Sequence, residues 1–126
     1  MPKTVFVIDD DENLQTVLEI ALMEAGYAVE RAGDGATALA RLHTRTPDLV
    51  LCDVIMPYVD GAQVWQVLRE RLQYAGVPFV LLTALDRKPW FAELEAEGVV
   101  VLHKPFNIDR LIAIIDSYLD DALNDS

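Results

Sequence analysis

Residues 48–53 read Asp48-Leu49-Val50-Leu51-Cys52-Asp53, four apolar residues in a row closed at each end by an acid. A run this short and uniform suits a strand buried on both faces of a parallel sheet. Upstream, residues 3–8 hold a second run, Val5-Phe6-Val7-Ile8, which stops at Asp9-Asp10-Asp11-Glu12. Residues 27–32, 78–82 and 99–102 supply three more strand-like runs. Helical spacing fills the gaps. Leu14, Val17, Leu18, Ala21, Leu22 and Ala25 mark a helix over 12–25, with Gly26 at its C-cap. Leu39 and Leu42 mark one over 36–45 that Pro47 stops, and Val64, Leu68 and Leu72 mark one that ends before Gly76. Pro89 opens a helix over 89–97, and Asn107 caps one over 107–123 with Ile108, Leu111, Ile112, Ile115 and Leu119 on one face. Five strands alternating with five helices predict an α/β doubly wound domain with a five-stranded parallel sheet covered on both faces.

Composition narrows the function. The chain has 126 residues, half of them hydrophobic, which is one domain's worth with a packed core. The expected unit is 1–126, with its core over about 3–119 and a polar tail at 120–126. Cys52 is the sole cysteine, so neither an intrachain disulfide nor a multi-thiolate zinc site is available. The apolar runs are too short for a signal peptide or a membrane span. A cytoplasmic protein with no membrane partner is the expectation. A net charge of −11 repels phosphate backbones, which speaks against direct nucleic-acid binding.

In a doubly wound fold the functional crevice lies beyond the carboxyl ends of the strands. Those ends carry Asp9-Asp10, Asp53, Thr83-Ala84 and His103-Lys104-Pro105. Three carboxylates, a hydroxyl and an ammonium would then share one edge. Clustered carboxylates call for a proton or a cation. All-oxygen ligands without His or Cys select a hard ion, Mg²⁺ before Zn²⁺. A cation, a lysine and a threonine hydroxyl together complement a phosphoryl group, and a carboxylate beside them can attack phosphorus in line.

Asp9-Asp10 after Val7-Ile8, the stretch from Asp48 through Asp53 to Pro57, the Asp60-Gly61 turn, Leu82-Thr83-Ala84 and Lys104-Pro105-Phe106 together resemble the receiver domain of two-component response regulators, a CheY-like, flavodoxin-like fold. The resemblance covers about residues 3–119. It implies strand order 2-1-3-4-5 and a signalling switch rather than a turnover enzyme. Asp53 would be the phosphoacceptor, with Thr83, Ala84 and Lys104 holding the phosphoryl group. Asp10, Asp53 and the Ile55 carbonyl would ligate Mg²⁺ or Mn²⁺, with Asp9 acting through water. The resemblance also implies a cis Lys104–Pro105 peptide. A histidine kinase or histidine phosphotransfer protein would supply the phosphoryl group. An output domain or downstream protein would read the surface of the fourth helix, fifth strand and fifth helix. Ile55 and Leu85, two residues past the acceptor and the threonine, would set the lifetime of the phosphorylated state.

One departure bears on output. Receivers commonly place an aromatic three residues before the lysine; here that position is Val101, and the spacing from Gly98 to Lys104 is a residue short. This keeps open a phosphorylation-independent pseudo-receiver that acts as an interaction module. Trp90 and Phe91 offer either a core ring beside a surface ring or an aromatic anchor for a partner or a second copy. Tyr118 and Ile114, off the core face of the last helix, would extend such a patch or simply pack locally. Other motifs weaken on inspection. Gly33-Asp34-Gly35-Ala36-Thr37-Ala38 mimics a dinucleotide fingerprint but follows the second strand, not the first. Asp9-x-Asp11-x-Asn13 lacks the glycine and terminal glutamate of an EF-hand. A haloacid-dehalogenase-like phosphatase would carry its nucleophile on the first strand in a D-x-D-x-T/V setting, which residues 9–13 do not provide.

Overall fold

A computed structural model describes residues 2–119. Its elements are β1 (Thr4–Ile8), α1 (Glu12–Glu24), β2 (Ala28–Ala32), α2 (Gly35–Thr44), β3 (Leu49–Asp53), α3 (Gly61–Leu68), β4 (Phe79–Thr83), α4 (Pro89–Ala96), β5 (Val100–His103) and α5 (Ile108–Leu119). All strand pairs are parallel, in the order β2-β1-β3-β4-β5. Parallel neighbours need crossover connections, and the helices provide them.

Alternation along the strands sorts the core into two layers. Phe6, Ile8, Val50, Cys52, Phe79 and Leu81 pack against Ala38 and Leu42 of α2 and Val64 and Leu68 of α3, with Trp90 and Leu94 of α4 at the margin. Val5, Val7, Leu49, Leu51, Val80 and Leu82 pack against Leu18 and Leu22 of α1 and Leu111, Ile115 and Leu119 of α5. Every residue of β3 and β4 is buried, because both sides of the sheet centre are covered.

Short polar side chains start the helices. Asp11 accepts from the Asn13 and Leu14 N–H groups at α1, Asp34 from the Thr37 N–H at α2, and Asn107 from the Arg110 N–H at α5. Asp60 and Gln63 close a reciprocal capping box on α3. The glycine-rich stretch 33–38 is thus a capped helix start. The Thr37 N–H, and then the Thr37 hydroxyl, hold the Asp34 carboxyl below its ordinary pKa.

One expectation needs correction. The third helix stops at Leu68, and a separate single turn spans Leu72–Tyr74. Tyr74 is the reason: its buried ring and its hydroxyl, which donates to the Leu42 and Arg45 carbonyls, draw the segment toward the end of α2. Val17 is half exposed, because the buried stripe of α1 runs through Gln15, Leu18 and Leu22. The last helix is described to Leu119; its expected extension to 123 and the tail 120–126 lie outside the described residues. Elsewhere the boundaries fall within a residue or two of those expected. No helix among the described residues is long and apolar enough to cross a membrane.

Candidate functional site

The strand register assembles the site. Ile8 pairs with Cys52 across β1 and β3, so Asp9 emerges beside Asp53. Asp53 pairs with Leu82, and Thr83 with His103, which brings Thr83 and the residue after His103 to the same edge. The carboxylate oxygens of Asp9, Asp10 and Asp53 lie within 4.8 Å of one another. Lys104 Nζ reaches Asp53 Oδ2 at 3.0 Å and Asp9 Oδ2 at 3.3 Å. The Lys104–Pro105 peptide is cis.

Backbone groups fix the two buried carboxylates. The Asp11 N–H donates to Asp9 Oδ1 at 2.8 Å, and the Ile55 N–H donates to Asp53 Oδ1 at 3.1 Å. Asp9 and Asp53 are nearly inaccessible, whereas Asp10 is exposed. Burial pushes the Asp9 carboxyl above its ordinary pKa; the Asp53 charge adds to this, and the Asp11 N–H and Lys104 oppose it. Burial alone would lower the Lys104 pKa, but the hydrogen bond to Asp53 and the two carboxylate charges outweigh it and raise the value.

Three carboxylates thus face one ammonium. The donor set is all oxygen, with no thiolate or imidazole in the cluster. Such a set fits a hard divalent cation held by one or two carboxylates, Mg²⁺ above all.

Thr83 is fully buried, and its Oγ1 accepts from the Leu85 N–H at 2.9 Å. Ala84 is exposed just beyond it. Ile55 is half exposed, and it lines a cavity of about 560 Å³ together with Leu85, Trp90 and Leu94. Of the residues expected on the output surface, Tyr118 is exposed and Trp90 and Val101 are partly buried. Phe91 is only 2% exposed, so it belongs to the interior and is no surface anchor. Its ring meets Trp90 edge-on, with centroids 4.4 Å apart. His103 and His43 are exposed. Cys52 is sealed in the core, and burial, followed by the charges of Asp53, Asp9 and Asp60, pushes its thiol pKa well up. Little thiolate is therefore present to react.

Two supporting residues had escaped the sequence reading. Gln15 is a buried polar side chain whose Nε2 donates to the Asp9 carbonyl and, at 3.1 Å, to the Ala32 carbonyl. It ties α1 to the ends of β1 and β2 and holds the Asp9 backbone. The signal was a polar residue in register with Leu18 and Leu22. Gly61 was expected only as a turn residue, yet a Cβ there would lie 2.4 Å from the Asp53 carbonyl oxygen. The Gly61 N–H donates to the Val54 carbonyl at 2.9 Å, so the start of α3 is pressed against the end of β3.

The sequence profile of the response regulator receiver domain matches residues 5–116. The alkaline phosphatase synthesis transcriptional regulatory protein PhoP of Bacillus subtilis is 40% identical over 122 residues, covering 94% of this chain and 49% of that protein. Response regulator MprA of Mycobacterium sp. (strain KMS) is 38% identical over 114 residues, covering 90% and 49% respectively. The chain therefore spans about half the length of these curated relatives. Among solved structures, chemotaxis protein CheY4 of Vibrio cholerae superposes with a TM-score of 0.85 at 31% identity, covering 94% of this chain and all of that one. A profile matched from β1 into α5, relatives this similar and an acidic strand edge closed by a lysine lead to one conclusion: the chain belongs to the response regulator receiver domain family.

Proposed function

We propose that this domain is a phosphorylation switch in which Asp53 accepts a phosphoryl group from a phosphohistidine. The observation that carries the reading is Lys104, whose ammonium sits between Asp53 and Asp9 at the one edge where three carboxylates meet. An Asp53 carboxylate oxygen attacks phosphorus as the P–N bond breaks. The bonding pair stays on the imidazole nitrogen, which takes up a proton. Bound Mg²⁺, held by Asp10, Asp53 and the Ile55 carbonyl with Asp9 acting through water, would neutralise phosphoryl charge. Lys104 moves from carboxylate to phosphoryl oxygen, and the Thr83 hydroxyl and Ala84 N–H hydrogen-bond the group that has arrived. Water later attacks the same phosphorus, which releases inorganic phosphate and restores Asp53.

The domain acts as a switch and turns over no external substrate. Its donor is a histidine kinase or a histidine phosphotransfer protein in the cytoplasm. Its reader is an output domain or separate protein on the surface of α4, β5 and α5. A complete acceptor set at one edge speaks against a phosphate-independent module. Ile55 and Leu85, apolar and partly exposed beside the acceptor, hinder an incoming water and prolong the phosphorylated state.

Intact mass after incubation with Mg²⁺ and acetyl phosphate tests the reading. Wild type should gain one phosphoryl group and Asp53→Asn none. Label on the variant, or none on a wild type that binds Mg²⁺ and is offered a phosphorylated histidine donor, would overturn it. After donor removal the same assay gives the label's lifetime. That lifetime should shorten when Ile55 and Leu85 are both made polar.

A further inference from the structure

A signal leaving Asp53 needs a side chain that moves. Position 101 supplies no ring: Val101 is partly buried against the layer that also holds Trp90 and Leu94. The aromatic next to the acceptor edge in that layer is Trp90. It lines the 560 Å³ cavity with Leu85 and Ile55, and it stands edge-on to the buried Phe91 at 4.4 Å.

Leu85 joins this cavity to the acceptor edge. Its N–H is the group bonded to Thr83 Oγ1 at 2.9 Å, and its side chain lines the space beside Trp90. A hydroxyl donating to a phosphoryl oxygen must approach it to about 2.7–2.8 Å. Bringing Thr83 Oγ1 that close either draws the Leu85 N–H along or breaks the bond that holds Leu85 in place. The segment that follows is tied by Arg87, which pairs with Glu95 and lies over the Phe91 ring at 5.9 Å, but not at the helix cap. Lys88 occupies the N-cap position of α4 and makes no side-chain cap, and a cation there opposes the helix dipole. The first turn of α4, where Trp90 sits, thus has no side-chain cap and has open volume beside it.

We propose that Trp90 reports the state of Asp53, repositioning in its cavity as the Thr83–Leu85 hydrogen bond is rearranged and so resetting the first turn of α4. This inference rests on the phosphoacceptor reading above. Trp65 and Trp90 are the two tryptophans of the chain, so Trp65→Phe leaves Trp90 as the sole indole. The Arg69–Glu97 pair at 2.6 Å still holds the far end of α4 in that variant.

The experiment is Trp90 emission and acrylamide quenching in the Trp65→Phe domain, before and after acetyl phosphate with Mg²⁺, with the extent of labelling read by intact mass. Emission and quenching should both shift in step with the mass label. Amide hydrogen exchange over residues 89–97 should also change on labelling in wild type, and that change should be lost in Trp90→Ala and in the milder Trp90→Leu while both still take the label. Full labelling with unmoved Trp90 emission, or an exchange change that survives both substitutions, overturns the inference and leaves the acceptor reading intact. Absence of label from acetyl phosphate and from a phosphorylated histidine donor alike overturns both.

Discussion

At the scale of single residues, Gly61 shows how a site can depend on an atom that is missing. Any side chain at 61 would place a carbon 2.4 Å from the Asp53 carbonyl oxygen and 2.8 Å from Leu81 Cδ2. Gly61→Ala should therefore destabilise the domain by about 1–3 kcal/mol, the cost of overpacking a closed interior. Labelling of Asp53 should slow as well, because the shift falls on the acceptor's own peptide. Urea unfolding and the mass assay check the two effects; an unchanged midpoint would show that α3 moves away at no cost. The acceptor-edge residues were legible in the sequence because each apolar run ends at a chemically distinctive group, as Val7-Ile8 does at Asp9 and Leu51-Cys52 at Asp53. Gln15 was not. Its burial is stabilised by the Asp9 carbonyl just past β1 and by the Ala32 carbonyl seventeen residues away on β2; spacing sets Gln15 in register with Leu18 and Leu22 but does not reveal those partners.

Among the elements, β3 and β4 were plain from their uniform apolar runs, since a buried strand needs no alternation. The end of α3 was not plain, because Tyr74 decides it by bonding to α2 carbonyls. Val17, Ile20 and Met23 of α1 show where periodicity stops being informative. They are apolar and at helical spacing, yet each is at least half exposed, and periodicity cannot tell a buried stripe from a second apolar face. The helix start without a side-chain cap is that of α4, at Lys88. Lys88→Asp would supply the missing acceptor and reverse the unfavourable charge. The expected gain is about 0.5–1 kcal/mol by urea unfolding. No gain would mean that this end of α4 is held by contacts other than its cap.

For the whole molecule, the acidic edge carries an electrostatic cost. Asp9, raised by burial above its ordinary 3.8, holds its proton more tightly folded than unfolded. Stability of the metal-free domain therefore falls as pH climbs through that raised value, and ionised Asp9 weighs against folding at neutral pH. A divalent cation offsets this. Mg²⁺ should raise the urea midpoint at about pH 7, and the rise should shrink as pH drops toward about 4, where protons compete for the same oxygens. A rise that is the same at both pH values would mean that the ion binds elsewhere. The brace behind Asp53 has a wider consequence. Gly61 backs onto its carbonyl, the Val54 N–H is fastened to Leu82 at 2.9 Å, and Cys52 is sealed beneath. Asp53 is set like a post in masonry, so a bulky, charged group added to it cannot push the post back. The recoil must travel sideways, toward the lysine, the threonine and the hollow beyond them.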